Sequence, residues 1–495
     1  MLIKNCEILY YKSKDDYELR FGDIAIEDAK IKYLGKIPED FVTDEVIDAK
    51  GKLAIPGLIN AHTHSYANFF KGMGENLPLE VWMYYAFLAG KLRTEDIYIS
   101  TMLGCIDMIR SGVTTCLDHL AVGLEGIDSA LNAYIDAGMG VVMSPMVTDK
   151  QYFDTLPVNK DTLPDELLNK INKNKSKTAT EVADFCEEVI TKWHGKNNGL
   201  IRVMPGPSGP QRCTDELLIN FRDLANKYDL GIHTHLVETK IQAITAHDLF
   251  GCSMVEYLNN LGVLNDKWSM AHTVWVSDND MKLLKESGAS VVHNPVSNLT
   301  IGSGISPINE MYKNNINIGL GTDGSNCGGN QNIFGAMNQA AIISKITTPK
   351  YEDWQSAINV FRMATENGAK AIKLGSELGS IEIGKRADIV LIDTKSVYLT
   401  PRVDIINQLV YNDKGQSVDT VIINGKVVME NKELLTINEK KVIEEAQNRF
   451  DSLEDRINNS LKQSSEEMVY VDKVYKQEIN RELGFQRTGD WNVYK

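Results

Sequence analysis

Short apolar runs alternate with segments of helical periodicity through the middle of the chain. The apolar runs, each four to eight residues long, lie at residues 53–60, 113–118, 140–145, 200–206, 230–235, 268–273, 289–293 and 316–323. Helical segments fall between most of them, at residues 94–110, 180–193, 215–228, 277–286 and 306–314. This alternation is typical of a parallel sheet in an α/β protein. Eight such units over about 270 residues fit a (β/α)8 TIM barrel, whose usual size is about 250 residues.

The two ends of the chain have a different pattern, that of short strands separated by turns. Strands are predicted at residues 1–10, 20–27 and 30–34, and again at 387–392 and 419–430. Asn424-Gly425 inside the last segment indicates a hairpin turn. We therefore expect one composite β-sandwich domain built from both termini. A doubly wound sheet is the competing architecture, but no G-x-G-x-x-G motif follows an early strand.

These patterns predict four parts of the chain. Residues 1–55 and 375–435 form the two halves of the β-sandwich, and residues 56–374 form the barrel. A polar, lysine-rich stretch at residues 148–178 is expected to be a long loop inserted near the third βα unit. Residues 436–495 form a helical C-terminal extension, which is either solvated or in contact with a second copy of the chain. We expect a homo-oligomer.

Composition excludes several classes of partner. Of the 495 residues, 43% are hydrophobic and 24% are charged, which is ordinary for a globular protein. The net charge of −15 argues against nucleic acid or an anionic membrane as the main partner, because both require clustered cations. The seven cysteines are scattered, the N-terminus is charged, and no apolar run approaches the roughly 20 residues that a membrane span requires. The expected location is the cytoplasm.

The nine histidines are concentrated where a barrel places its chemistry. Side chains at the C-terminal ends of the strands form the active site of this fold. Only His194 and His247 lie away from the predicted strand ends. The remaining seven are His62, His64, His119, His233, His235, His272 and His293.

Two H-x-H pairs indicate a metal site. His62 and His64 are two residues apart, so both imidazoles point to the same side of an extended segment and can bind one cation. His235 lies three residues before Glu238, and the two can meet over one bound water. His233 shares the side of His235 but lies deeper, where a hydrogen-bonded interior histidine is the alternative. Asp323 offers an oxygen ligand, with a helix N-cap as its alternative.

The remaining residue types define a hydrolytic mechanism. A divalent metal lowers the pKa of bound water toward about 7 and supplies hydroxide. Asp323 can accept the proton of the water, and Glu238 can protonate a substrate nitrogen if its site raises its pKa. His272 is either a further ligand or a donor to the metal-bound water, and it can stabilise the developing charge. His293 has more structural alternatives. The predicted reaction is hydrolytic attack on an electron-poor carbon.

Several motifs resemble the amidohydrolase superfamily, most closely its branch of methylthioadenosine/S-adenosylhomocysteine deaminases and triazine amino- and chlorohydrolases. The motifs are PGLINAHTHS (56–65), GENLPLEVW (74–82), IHTHLVET (232–239), MAHTV (270–274), VVHNPVSNLTIGSG (291–304), GLGTDGS (319–325) and GSIEIGKRADIVLID (379–393). The resemblance implies a distorted (β/α)8 barrel with a composite β-sandwich. It also implies Glu238 as proton shuttle, His272 as a non-ligand or weakly bound histidine, and one metal held by His62, His64, His235 and Asp323.

The metal is expected to be a single Zn²⁺, with Fe²⁺ as the alternative for these ligands. Binuclear members of the superfamily use a bridging lysine at the end of strand four. Residues 204–208 here read Met-Pro-Gly-Pro-Ser, without a lysine. The sequence therefore favours one metal ion.

Two departures from the family pattern bear on the substrate. Nucleoside deaminases of this branch carry a glutamate shortly after the tryptophan segment, where counting from Trp82 gives Lys91. They also carry G-P-H-S-P after strand four, where this chain has Gly-Pro-Ser-Gly-Pro at residues 206–210. Both changes weaken an adenosine-type interpretation and make a nucleobase, pterin or triazine comparably suitable. The predicted substrate-binding residues are Trp82, Ser208, His293 and Asn298, together with residues near Lys91.

The leading hypothesis is hydrolytic deamination of an amino-substituted nitrogen heterocycle, such as a purine, pyrimidine, pterin or triazine. The alternatives are a different leaving group on a similar ring (chloride, an alkylamine or a ring amide) and adenosine-type nucleoside deamination. A non-enzymatic binding protein on the same fold would be expected to lack a ligand or the acid. None is missing from this sequence.

Overall fold

The computed structural model of the protein describes residues 1–158, 163–173 and 176–488. In chain order the strands are β1 (Leu2–Ser13), β2 (Asp16–Glu27), β3 (Lys30–Gly35), β4 (Val46–Asp48), β5 (Lys52–Pro56), β6 (Leu58–Thr63), β7 (Val113–Leu120), β8 (Gly140–Val147), β9 (Ile201–Val203), β10 (Gly206–Pro207), β11 (Ile232–Leu236), β12 (Trp268–His272), β13 (Ser290–His293), β14 (Asn317–Leu320), β15 (Ile389–Asp393), β16 (Val418–Ile423), β17 (Lys426–Glu430) and β18 (Glu433–Leu434).

The helices follow the strands in the alternating order that the sequence predicts. They are α1 (Leu79–Ala86), α2 (Thr94–Arg110), α3 (Leu124–Ala137), α4 (Asp165–Lys173), α5 (Ala179–Trp193), α6 (Asp215–Lys227), α7 (Lys240–Phe250), α8 (Met254–Asn260), α9 (Asp278–Ser287), α10 (Pro295–Thr300), α11 (Ile308–Lys313), α12 (Ile333–Ile343), α13 (Ala357–Met363), α14 (Glu366–Ala371), α15 (Ile405–Tyr411), α16 (Glu439–Gln463) and α17 (Ser465–Glu478). Short 3-10 helices lie at Ser65–Phe69, Phe87–Lys91, Tyr152–Thr155, Pro210–Arg212, Tyr351–Asp353 and Val397–Leu399.

Two parallel sheets form the middle of the molecule, so the protein is a mixed α/β structure. One has the order β10-β8-β7-β6 with β9 on β8, and the other has the order β11-β12-β13-β14. All residues of β7 and β12 are buried, as expected for strands covered on both faces. Backbone hydrogen bonds also cross between the sheets, from Asp323 N to His62 O (3.0 Å) and from His233 N to Pro205 O (3.0 Å).

The first predicted strand, at residues 53–60, was wrong as a single element. The structure divides it into β5, which pairs with β1 and β15, and β6, which pairs with β7. The break lies at Pro56-Gly57. Proline cannot donate a backbone hydrogen bond, and a Cβ on Gly57 would lie 2.3–2.9 Å from the Thr114 side chain. The chain therefore passes from one sheet to the other at this point.

The third sheet joins the two ends of the chain. Its strand order is β18-β17-β16-β15-β5-β1-β2-β3, with β4 on β1. The predicted hairpin is confirmed: β16 and β17 pair antiparallel around Asn424 and Gly425, whose φ angles of +50° and +74° suit a type I′ turn. Hydrogen bonds connect these nine strands into one sheet. Its division into the two layers of a sandwich stays a prediction.

The insertion at residues 148–178 is more ordered than the predicted long loop. Its described part contains the 3-10 helix Tyr152–Thr155 and α4. Leu163, Leu167 and Ile171, four residues apart, are all buried. This four-residue spacing of apolar positions indicates a helix, although the composition of the segment is polar and rich in lysine. Residues 159–162 and 174–175, which also belong to the predicted insertion, lie outside the described residues.

The C-terminal extension is helical as predicted, and it packs on its own chain. α16 lies along α2 and buries Val442, Ala446, Leu453 and Ile457 on one face. α17 packs on α1, where Val471 is buried. The predicted homo-oligomer stays a prediction. Among the helices of the described ranges, none has both the length and the apolar character needed to cross a membrane.

Candidate metal centre and active site

The predicted ligands meet at one edge of the two parallel sheets. His62 lies on β6, His235 on β11, and His64 and Asp323 lie just beyond the ends of β6 and β14. His62, His64 and Asp323 offer ligand atoms within 4.8 Å of one another, and so do His62, His235 and His272. His62, His64 and Asp323 are buried, and His235 is partly exposed toward a cavity. Residues at strand ends that are distant in sequence therefore lie together, and the four predicted ligands are here called the donor set.

His64 and His235 each have their Nδ1 fixed by a backbone carbonyl. Nδ1 of His64 donates to His119 O, and Nδ1 of His235 donates to Ser208 O, both at 2.5 Å. The two Nε2 atoms then face each other at 3.3 Å. Two imidazole lone pairs at this distance repel unless a cation, either a proton or a metal ion, lies between them. The pair is therefore preorganised to bind a cation.

His62 is oriented by the second histidine of the other H-x-H pair. Its Nδ1 is 2.8 Å from His233 Nε2, and His233 Nδ1 is 3.0 Å from Ser269 Oγ. His62 Nε2 is buried and has no hydrogen-bond partner among the described residues. Burial lowers the pKa of His62 to about 4, so the ring is a neutral ligand at pH 7. The interior, hydrogen-bonded position weighed for His233 is the one that the structure shows.

Asp323 completes the donor set. Its Oδ1 lies 3.6 Å from His62 Nε2 and 3.2 Å from His64 Nε2, and its Oδ2 accepts a 2.6 Å hydrogen bond from Ser297 Oγ. Burial works to raise the pKa of Asp323, but the contacts with the two histidines outweigh it, so the pKa is well below the usual value. The helix N-cap considered for this residue is absent, because residues 324–330 are not helical.

Glu238 and His272 lie beside this donor set. His272 Nδ1 donates to Asn298 Oδ1 at 2.8 Å and lies 3.6 Å from Glu238 Oε1, while its Nε2 lies 3.7 Å from Asp323 Oδ2. Ser303 Oγ donates to Glu238 Oε1 at 3.4 Å. Burial raises the pKa of Glu238 well above its usual value, and the charges of Asp323 and Glu80 add to the effect. The pKa of Glu238 is thus shifted in the direction that a proton donor to substrate requires.

The backbone is strained around these side chains. Val237, His272, Thr273 and Asp323 have φ angles of +36°, +68°, +47° and +64°. Positive φ is unfavourable for non-glycine residues, above all for β-branched valine and threonine. Such strain persists only where the surrounding structure imposes it, and it clusters at functional sites. Its position here supports a catalytic role for these strand ends.

A cavity opens above the donor set and is bordered by α1. Of the predicted substrate-binding residues, Trp82 and Ser208 lie on its wall, whereas His293 and Asn298 are not among the described residues that line it. Asn298 instead holds His272. His293 is buried and neither of its ring nitrogens has a hydrogen-bond partner in the described part of the chain. Lys91 is also away from the wall, and its carbonyl accepts a hydrogen bond from Arg456.

The cavity wall also contains polar residues that sequence reasoning missed. Gln211, Arg212 and Gln242 line it, and the Arg212 guanidinium lies 5.2 Å from the centre of the Tyr152 ring. Gln211 and Arg212 follow the end of the fourth predicted strand, where a search restricted to histidine and carboxylates overlooks them. Ser297, which donates to Asp323, was also missed, because its position in the sequence is not part of any spacing pattern that indicates a site residue. These contacts depend on tertiary structure.

The residues present fit a divalent metal ion. Three imidazole nitrogens and a carboxylate oxygen are a donor set that zinc accepts. His62 Nε2 is buried without a hydrogen-bond partner among the described residues, and the Nε2 atoms of His64 and half-buried His235 face each other; a cation would satisfy all three atoms. Each of the three rings is also oriented through its other nitrogen, as is usual for metal-binding histidines.

Comparison with known proteins relates the chain to enzymes. Residues 53–428 match the model of the amidohydrolase family. The chain is 36% identical over 457 residues to the 5-methylthioadenosine/S-adenosylhomocysteine deaminase of Caldanaerobacter subterraneus subsp. tengcongensis, covering 92% of this chain and 98% of that one. It is 34% identical over 460 residues to the 5'-deoxyadenosine deaminase of Methanosarcina barkeri, covering 92% and 99%.

A solved structure shares the fold. The atrazine chlorohydrolase of Arthrobacter aurescens TC1, in complex with zinc, superposes with a TM-score of 0.83 at 23% identity, covering 91% of this chain and 99% of that one. At this identity the likeness establishes the fold alone, and function has to be argued from the site.

Proposed function

The chain belongs to the amidohydrolase family, and we propose that it deaminates an amino-substituted nitrogen heterocycle by hydrolysis. It is a hydrolase that acts on carbon–nitrogen bonds other than peptide bonds. The observation that carries the proposal is the convergence of His64, His235 and Asp323 beside a buried Glu238 at one cavity. Water and the amino-substituted ring are the reactants, and the hydroxylated (or keto) ring and ammonia are the products.

We propose that His62, His64, His235 and Asp323 hold one divalent metal ion. Zinc is the first candidate because these donors lack thiolates and suit tetrahedral coordination, and Fe²⁺ is the alternative. When bound, such an ion lowers the pKa of water toward about 7 and polarises the bond under attack. The zinc in the structural neighbour supports this assignment.

Different side chains then perform the separate proton transfers. We propose that Asp323 accepts the proton of the attacking water, since its lowered pKa keeps the carboxylate ionised with a free lone pair and its Oδ1 faces the donor set. Glu238, whose pKa burial raises, protonates the ring nitrogen; it regains a proton from the new hydroxyl group as the departing amino group takes the proton held by Asp323. His272, fixed by Asn298, stabilises charge that develops on the substrate.

For the substrate we propose first an adenosine-type nucleoside altered at its 5' position. The support is the activity named for the two relatives, which match over 92% of this chain. A free nucleobase, a pterin or a triazine is the second candidate. It is favoured by Ser208 on the cavity wall, where nucleoside deaminases of this branch carry a histidine, and by the position of Lys91 away from that wall.

A substrate panel tests both proposals. Metal-loaded protein is expected to release ammonia from 5'-deoxyadenosine or 5'-methylthioadenosine faster than from adenine, aminopterins or aminotriazines, measured by a coupled ammonia assay. Faster turnover of a free base, pterin or triazine would select the second candidate. A chlorinated and an alkylamino triazine complete the panel, and release of chloride or an alkylamine from them without ammonia release from any compound would assign a different leaving group. No turnover of any compound at full metal occupancy would reject the proposed function.

Support for His62 has its own test. His233→Leu removes the group that fixes His62 Nδ1, and loss of such a partner commonly weakens metal binding about 10- to 100-fold. We expect that decrease in competition with a chromogenic zinc chelator. His247→Leu is the matched control, because His247 is exposed on α7. Equal metal affinity in the two variants would contradict the assigned role of His233.

We also propose the architecture around the site. The backbone hydrogen bonds that link the two parallel sheets support their closure into one (β/α)8 barrel. The passage at Pro56-Gly57 supports a domain boundary between residues 55 and 56, and the shared sheet supports one domain built from 1–55 and 375–435. All seven cysteines are free, which supports a location in the reducing cytoplasm.

A further inference from the structure

A segment after the last helix passes beside the proposed proton shuttle. α17 ends at Glu478, and residues 479–488, here named the strap, continue without helix. The strap lies beyond residue 428, where the match to the family model ends. It packs against residues 298–306, here named the shuttle loop, which contains Asn298 and Ser303.

Arg487 of the strap contacts the shuttle loop through its backbone and Val276, next to Trp275, through its side chain. Ile305 N donates to Arg487 O at 2.6 Å, and the Arg487 guanidinium donates to Val276 O at 2.5 Å. Gly304 permits this approach: its φ is +122°, and a Cβ there would lie 2.9 Å from Arg487 O. The contact therefore depends on a conformation that favours glycine.

Trp275 provides a second link between the strap and the shuttle loop. Its Nε1 donates to Ser303 O at 2.7 Å, and its ring centre lies 6.3 Å from that of Phe485. Lys240 adds to the anchor, since its Nζ donates to Ile479 O at 2.8 Å and lies 5.8 Å from the Trp275 ring. Trp275 is thus held between the strap and the residue that contacts Glu238.

The shuttle loop contacts both proton-transfer side chains. Ser303 Oγ donates to Glu238 Oε1, and Ser303 N donates to Asn298 O at 2.8 Å. Asn298 Oδ1 accepts the hydrogen bond of His272 Nδ1. A shift of this loop would therefore move Glu238 and His272 together.

We propose that the strap positions Glu238 and His272 for proton transfer by bracing the shuttle loop, with Phe485, Arg487, Trp275 and Ser303 as positioning residues. The inference rests on the proposed role of Glu238 as proton shuttle. Misplacement of a reacting group by about 1 Å can lower a rate about 100-fold. Among the described residues, the strap makes no hydrogen bond or ring contact with a proposed metal ligand, so we expect it to affect the chemical step and not metal binding.

Two variants test the strap. Arg487→Met removes the guanidinium contact with Val276 O, which holds Arg487 in place beside Ile305, and deletion of residues 479–495 also removes the backbone contact with Ile305. We expect kcat to fall about 10- to 100-fold, with KM within about twofold of wild type and metal content unchanged. Arg222→Met is the matched control, because Arg222 is paired on the surface with its neighbour Asp223. If the deletion variant does not fold, the kcat, KM and metal content of Arg487→Met alone test the proposed role of the strap.

A double-mutant cycle tests whether the strap acts through Ser303. Ser303→Ala is expected to lower kcat, and adding Arg487→Met is expected to lower it by much less than in wild type, because both changes interrupt one line of contacts. Wild-type kcat in the strap variants, or fully additive effects, would overturn the inference while wild-type ammonia release upholds the proposed function. Absence of wild-type ammonia release would overturn both.

Discussion

Glu238→Gln is expected to lower the rate of ammonia release by about 1000-fold while the protein keeps its metal ion. The amide has nearly the shape of the carboxyl group but cannot transfer a proton, and general acid–base catalysis typically contributes about 10²- to 10⁴-fold. Glu238 is not part of the proposed donor set, so elemental analysis should find the metal content of wild type. The measurement is single-turnover ammonia release together with metal stoichiometry.

Two controls separate this loss from misfolding. Glu238→Gln should bind substrate with nearly wild-type affinity, because the change removes an interaction that matters in the transition state. Glu256→Gln is a matched exchange at a half-buried helix-capping residue that contacts Ser253 and Asn279, and it should leave activity unchanged. Retention of more than a tenth of wild-type kcat in Glu238→Gln would assign the proton transfers to other residues, with His272 first among them.

The strands and the proposed ligands could be predicted because their signals are local. A short apolar run that ends in histidine predicts both a buried strand and a candidate site residue at its end, as in β11 with His233 and His235. The helix predicted at 94–110 has the same bounds as α2, because its apolar spacing is regular. Residues 53–60 were wrongly predicted as one strand, because two strands of different sheets follow one another there without a polar residue between them.

The remaining features depend on contacts that no local pattern shows. The groups that orient His64 and His235 are backbone carbonyls of His119 and Ser208, which any residue could supply. Asn298 was predicted to bind substrate, yet its side chain accepts a hydrogen bond from His272, because the sequence does not show which side of the short helix α10 faces the cavity. The strap is a stretch without periodicity, so only its tertiary contacts reveal it.

Removal of the metal is expected to abolish ammonia release, and added Zn²⁺ is expected to restore it in wild type but not in His235→Ala. That substitution deletes one of the two facing Nε2 atoms. The site then loses a proposed ligand and the pair of lone pairs that a cation would stabilise. Because a ligand that binds only the folded state stabilises it, zinc at about 1000 times its Kd would add about 4 kcal/mol to the free energy of unfolding of wild type. Elemental analysis, thermal unfolding with and without zinc, and ammonia release measure the three effects.

The comparison between variants makes this prediction specific to the proposed ligands. His247→Ala removes an exposed histidine on α7 and should keep the metal, the zinc-dependent rise in Tm and the activity. His235→Ala should lose all three, whereas Glu238→Gln should lose only the activity. Full zinc occupancy with wild-type Tm shift in His235→Ala would remove His235 from the donor set and leave His272, which shares a cluster with His62 and His235, as the third imidazole ligand.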